Sequence, residues 1–286
     1  MSTSVEIESV AVVGAGFMGS GIAEASAVAG LPVVLRDVDD ASLEAAEKRI
    51  EGSLTRAVRG GKLGLADAEE VRGRIELTSE LDAIAGVSLV VEAVPEDLRL
   101  KLVVMRAIDG VVGQDTIIAS NTSSIPIAEL AQAVRAPARV LGLHFFSPVP
   151  VMTLVEVVVA LDTGSDTIAS AKAFVERLGK RPIETKDRSG FIVNLLLVPY
   201  LMAAVRMYEE GFASREDIDA GMKLGCGHPM GPLTLCDFIG LDVLYAVCDS
   251  LYEEFKRDEY APPPLMKRMV ASGRIGRKSG RGFYEY

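Results

Sequence analysis

Residues 9–19 read SVAVVGAGFMG, and the passage from an apolar run into a glycine loop decides the fold. Ser9 to Val13 is short, β-branched and apolar, the composition of a strand buried on both faces of a sheet. Gly14-Ala15-Gly16-Phe17-Met18-Gly19 then leads into the helix-like SGIAEASAVAG at residues 20–30. A second strand-like run, Val33-Val34-Leu35, follows, with the acidic Asp37 at its end. A GxGxxG loop alone is weak evidence, but strand before, helix after and an acid beyond the next strand form the context of a dinucleotide site. Gly14 suits the tight turn, Gly16 lets the backbone approach a pyrophosphate, and Gly19 lets the helix pack on the strand, while the helix N-terminus attracts phosphate charge. Asp37 is suited to bind a ribose 2′-hydroxyl and to repel a 2′-phosphate, which favours NAD(H) over NADP(H); Arg36 beside it pulls the other way.

Outward from this loop the chain alternates. Residues 39–59 have helical spacing with Leu43, Ala46, Ile50 and Leu54 on one face, and the far end is basic, with Lys48, Arg49, Arg56, Arg59 and Lys62. These cations suit an anionic ligand or simply a solvated face. VSLVVEAV at 87–94 reads as a buried strand, and Pro95-Glu96-Asp97 starts a helix that carries Arg99 and Lys101. TIIAS, RVLGLHFF and LVEVVVA follow, then the helix-like SDTIASAKAFVERLG and the strand-like RPIET. The pattern predicts an α/β domain, a Rossmann-type doubly wound and mostly parallel sheet, over 1–187. Residues 189–211 are apolar nearly all round and predict a buried helix kinked at Pro199, the start of an all-α domain over 188–286.

Three polar groups near the later strands are not explained by apolar periodicity: Ser123, His144 and Glu156. A carboxylate inside LVEVVVA is costly unless paired, and with two histidines in the chain His144 is its candidate partner. Histidine at a sheet's carboxyl edge can take a proton at neutral pH while a carboxylate fixes its tautomer; the competing reading is a satisfied core pair.

With 286 residues, two domains are the natural expectation. No apolar run approaches the roughly 20 residues that span a bilayer, and the first residues lack a signal-peptide pattern, so a soluble, cytoplasmic protein is expected, with no membrane partner. A net charge of −10 opposes nucleic-acid binding. Cys226, Cys236 and Cys248 lack metal-ligand spacing, so reduced thiols and no metal are expected.

GAGFMG with Asp37, VVEAVPEDLRLK, SNTSS, LHFFSPVPVMTLVEVV and GFIVNLLLVPY, in this order, resemble the L-3-hydroxyacyl-CoA dehydrogenase family, in particular its short-chain 3-hydroxybutyryl-CoA branch, over essentially the whole chain. The resemblance implies an NAD-dependent oxidoreductase with His144 as base, Glu156 as its partner, and Ser123 and Asn194 on the substrate's 3-oxygen. It also implies cofactor contacts at Glu96, Lys101, Asn121, Ser123 and Lys278, beside the glycine loop and Asp37. Ser53 matches a family position that touches coenzyme A. Gly60 stands where members often carry lysine, so the cationic contact to an acyl-CoA falls to Arg56, Arg59 or Lys62. Leu195 replaces a common arginine after the asparagine. A homodimer through the C-terminal domain is expected. Two alternatives stay open at this stage: a dehydrogenase of free β-hydroxy acids, and a nucleotide-binding protein without turnover.

Overall fold

The computed structural model describes residues 6–286, and contacts divide the chain into two compact units, the first ending at Asp187 and the second starting at Arg188. The first unit is built on one eight-stranded sheet. Its strands are β1 (Val10–Val13), β2 (Val33–Arg36), β3 (Ile75–Thr78), β4 (Leu89–Glu92), β5 (Ile117–Ser120), β6 (Val140–Phe145), β7 (Leu154–Val159) and β8 (Arg181–Lys186). Their order across the sheet is β3-β2-β1-β4-β5-β6-β7-β8. All neighbours are parallel except β6 and β7, so the last two strands run against the other six.

Burial follows that order. Every residue of β1, β4, β5 and β6 is buried, as their unbroken apolar runs require of strands covered on both faces. The edge strands β3 and β8 are half-buried or exposed, and β8 carries Arg181, Pro182 and Lys186, which discourage further pairing. The helices of this unit are α1 (Phe17–Val28), α2 (Asp40–Arg59), α3 (Leu65–Gly73), α4 (Leu98–Val111), α5 (Ile127–Ala131) and α6 (Ser165–Arg177). In α2 the predicted face is the buried one, Leu43, Ala46, Ile50 and Leu54, and Asp39 caps the helix by accepting from the amides of Ala41 and Ser42. The strand β3 and helix α3 had no counterpart in the sequence reading.

The second unit packs α7 (Val193–Glu209), α8 (Arg215–Cys226), α9 (Pro232–Ile239), α10 (Leu241–Phe255) and α11 (Pro264–Ala271) around Leu201, Met202, Val205, Leu233, Leu244 and Leu251. The long helix starts at Val193 rather than Ser189, because Gly190 and Phe191 have φ of 81° and 49°, left-handed values that no α-helix contains. Pro199 lies inside α7. The chain's end is held by Asp237 of α9, whose buried carboxylate accepts from the amides of Phe283 and Tyr284, both at 2.8 Å, and from the Tyr286 hydroxyl at 3.1 Å.

Candidate active site

Parallel pairing puts the carboxyl ends of four strands on one edge. Val13 lies beside Glu92, Glu92 beside Ser120, and Ser120 beside Gly142. The loops after β1, β4, β5 and β6 therefore open together. Strand order changes direction between β1 and β4, the crevice where open α/β sheets bind ligands.

At the glycine loop the protein's own packing accounts for two of the three glycines. A Cβ on Gly14, where φ is 109°, would sit 2.6 Å from the Ala93 carbonyl, and one on Gly19 would sit 1.8 Å from the Gly14 oxygen. A Cβ on Gly16 would meet nothing within 4 Å. Gly16 thus leaves open backbone at the amino end of α1, as a pyrophosphate would need, and the loop fits a dinucleotide. Asp37 reaches it from β2: one carboxylate oxygen accepts from the Ala15 amide at 2.7 Å and the other from Val38. Arg49 of α2 donates to the Ala15 carbonyl at 2.6 Å and to the Ser20 hydroxyl at 3.1 Å, a support the sequence did not disclose.

Beyond β4 lies a buried network that sequence reasoning also missed. Glu92 and Lys101 are both fully buried, with Nζ 2.8 Å from Glu92 Oε1 and 3.3 Å from Glu96 Oε2. The other Glu92 oxygen accepts from Ser120 Oγ at 2.6 Å. Glu96 gathers the SNTSS turn: its Oε1 accepts from Thr122 Oγ1 at 2.6 Å and from the amides of Ser123 and Ser124. Burial alone would raise the Glu96 pKa, but the Lys101 ammonium and these donors bring it below the ordinary carboxylate value. The signal was available: Glu92 interrupts VVEAV as Glu156 interrupts LVEVVVA, and an acid in an apolar strand implies a partner. Lys101, expected at the cofactor, directs its ammonium to two carboxylates and the Val94 carbonyl. Asn121 ties this turn to the next strand, its side-chain oxygen accepting from the Phe145 amide at 2.9 Å.

His144 and Glu156 are cross-strand partners in the antiparallel β6–β7 ladder, and this places Nδ1 2.6 Å from Glu156 Oε2. Both are buried, and the imidazole also lies against Phe146 at 4.6 Å between ring centroids. With Nδ1 donating to the carboxylate, Nε2 becomes the basic nitrogen of the ring. The loop that follows holds a cis Ser147–Pro148 bond.

Of the expected acyl-CoA residues, Ser53 is half-buried on α2, where its hydroxyl donates to Glu24 Oε1 at 2.7 Å. Arg56, Arg59 and Lys62 are exposed, and among the described residues no carboxylate forms an ion pair with them. In the second unit, Asn194 lies half-buried in the first turn of α7, and Lys278 donates to Asp242 at 2.6 Å.

A switch-point glycine loop with an acid just after β2 fits an oxidoreductase that uses a nicotinamide dinucleotide, and the His144–Glu156 pair lies on the same sheet. The 3-hydroxyacyl-CoA dehydrogenase NAD-binding domain matches residues 9–188, and the C-terminal domain of the same family matches residues 190–286. The chain belongs to the 3-hydroxyacyl-CoA dehydrogenase family, and NAD is its cofactor. It is 49% identical over 282 residues to a 3-hydroxybutyryl-CoA dehydrogenase of Mycobacterium tuberculosis, covering 98% of this chain and 99% of the relative. It superposes on the crystal structure of M. tuberculosis FadB2 with a TM-score of 0.97 at 49% identity, covering 99% and 100% of the two chains. For (S)-3-hydroxybutyryl-CoA dehydrogenase PaaH1 of Ralstonia eutropha the TM-score is 0.93 at 47% identity, covering 98% and 99%.

Proposed function

We propose that the chain interconverts (S)-3-hydroxybutyryl-CoA and acetoacetyl-CoA with His144 as the acid–base residue. The observation that carries this reading is the 2.6 Å contact between His144 Nδ1 and the buried Glu156 carboxylate. Glu156 fixes the tautomer so that Nε2 takes the 3-hydroxyl proton, and its charge stabilises the imidazolium that results. Bound NAD supplies the acceptor for the hydrogen that leaves C3 with its electron pair. Gly14, Ala15, Gly16, Phe17, Met18 and Gly19 hold its pyrophosphate and Asp37 its adenosine ribose. Glu96 keeps the Ser123 turn in place, and the Ser123 hydroxyl steadies the substrate's 3-oxygen. The family resemblance adds Asn194 to that oxygen, and Glu96, Lys101, Asn121 and Lys278 to the cofactor. Ser53, with the exposed cations Arg56, Arg59 and Lys62 nearby in sequence, receives the phosphates of the acyl-CoA.

We further propose a cytoplasmic homodimer that associates through the second unit, where Leu196, Phe212 and Leu224 are exposed. No helix among the described residues is long and apolar enough to cross a membrane.

The test is the oxidation of NADH followed by absorbance with acetoacetyl-CoA, with longer 3-oxoacyl-CoA thioesters and with free acetoacetate, each repeated with NADPH. The expected result is turnover of the short thioester with NADH, little with free acetoacetate and a large loss with NADPH. Equal kcat/KM for thioester and free acid would overturn the acyl-CoA reading.

A further inference from the structure

Glu24 is an acid with no place in the chemistry described so far. It lies on α1 at 4% exposure, and its Oε1 is 2.7 Å from the Ser53 hydroxyl. Ser53 has one proton to donate. An ionised carboxylate is acceptor-only, so while Glu24 is charged the Ser53 proton is directed inward. A phosphate of coenzyme A is likewise an acceptor at neutral pH. The hydroxyl cannot donate to both, and a buried negative charge directly behind it repels the ligand.

We propose that Glu24 couples acyl-CoA binding to proton uptake: a phosphate bound at Ser53 requires a protonated Glu24, which donates to Ser53 Oγ while Ser53 donates to the ligand. The inference rests on the reading of Ser53 as an acyl-CoA contact. Each hydrogen bond in the resulting chain has one donor and one acceptor, and the proton comes from solvent.

The surrounding charges agree with this. Burial raises the Glu24 pKa, while the Ser53 hydroxyl and the Arg56 guanidinium oppose that rise. Both of the opposing groups would turn to the ligand once it binds, which leaves burial to favour the neutral acid. Of the other charged groups on the helices packed against α1, Lys48 and Arg59 of α2 are exposed, and Glu47 and Glu51 of α2 pair with Arg72 of α3. Arg49 of α2 bonds Ala15 and Ser20, Arg74 after α3 bonds the Ala27 carbonyl, and Lys180 bonds the carbonyls of Val149 and Met152. From the sheet, β1 brings no titratable side chain, Arg36 of β2 turns to the Ser79 carbonyl, and Glu76 of β3 is exposed. A carboxyl with a raised pKa holds its proton at low pH and loses it as pH rises through the raised value, so acyl-CoA affinity should decline on the alkaline side. For one linked proton the limiting slope is about tenfold per pH unit.

The experiment is calorimetric titration of the intact protein with coenzyme A, and in parallel with pantetheine, across a pH series and in two buffers of different ionisation enthalpy. Wild type should take up a proton with coenzyme A and none with pantetheine, and its affinity for coenzyme A should fall with rising pH. In Glu24→Gln, whose amide donates at every pH, uptake should shrink to whatever the ligand's own phosphate contributes, and the alkaline decline should flatten. Ser53→Ala serves as the second variant and separates the two ideas. If it binds coenzyme A as wild type does, the Ser53 reading fails. If it weakens binding while wild type and Glu24→Gln share one proton count and one pH profile, the Ser53 reading stands and the Glu24 coupling is wrong.

Discussion

His144 and Gly16 show what single residues decide. His144→Gln keeps a polar group of similar reach but removes the base, so kcat should fall by about 10² to 10⁴-fold. NADH affinity, measured by fluorescence titration, should stay near wild type, because the glycine loop and Asp37 are untouched. A folded variant with wild-type kcat would remove His144 from the mechanism. The glycines make a sharper pair. Gly19→Ala drives a methyl to 1.8 Å from the Gly14 oxygen, so the loop cannot keep its shape and the melting temperature should drop. Gly16→Ala meets no atom within 4 Å, so stability should stay within about 0.5 kcal/mol of wild type, as for substitutions away from packed features. NADH should nevertheless bind at least tenfold more weakly, on the scale of ~1.4 kcal/mol that the added methyl costs a pyrophosphate approaching the backbone. Equal stability losses in the two variants would show that Gly16 serves packing and not the cofactor.

Among the elements, β4 and β7 each carry one acid inside an apolar strand, and each acid has its partner. Glu156 meets His144 across the ladder, and Glu92 meets Lys101 from the first turn of α4. Glu92→Ala leaves a buried ammonium with the longer Glu96 contact as its one carboxylate and the Val94 carbonyl beside it, so unfolding free energy by urea titration should fall by about 3 kcal/mol, the scale for breaking a buried pair. A loss under about 1 kcal/mol would mean that Lys101 leaves the interior or gives up its charge. The legibility of elements also differs for physical reasons. Helix α2 was visible because its four buried apolar residues repeat at helical spacing. Helix α3 buries Val71 alone, and β3 is an edge strand with no fully buried residue, so neither leaves strong periodicity. The start of α7 is hidden in the sequence because residues 190–193 continue the apolar helical composition through the two left-handed residues Gly190 and Phe191.

For each unit as a whole, core burial sets reactivity far from the chemistry. Cys236 and Cys248 lie in the core of the second unit, and Cys226 is exposed. Burial raises the Cys248 thiol to about 12 and the Cys236 thiol well above its ordinary value, so neither is a thiolate at neutral pH. Titration of the native protein with a chromogenic disulfide should report one fast thiol per chain, with the other two appearing on denaturation. Three fast thiols would mean that the second unit opens readily. The same unit fastens its own end: a Cβ on Gly282 would fall 1.9 Å from an Asp237 oxygen, and Phe283 lies in the core.

The amino-acid sequence by itself determined the α/β class, the dinucleotide loop and the pairing of His144 with Glu156. Each rests on local periodicity, on a glycine with a backbone reason, or on the cost of an unpaired acid in an apolar strand. Tertiary structure alone decided that Arg49 supports the glycine loop, which acid Lys101 neutralises, and that Ser53 faces Glu24 from another helix. Those contacts join residues 29 positions apart for Ser53 and Glu24 and 34 apart for Arg49 and Ala15. They depend on how α1 and α2 pack, and side-chain spacing along one segment carries no record of which neighbour a polar group meets across the gap.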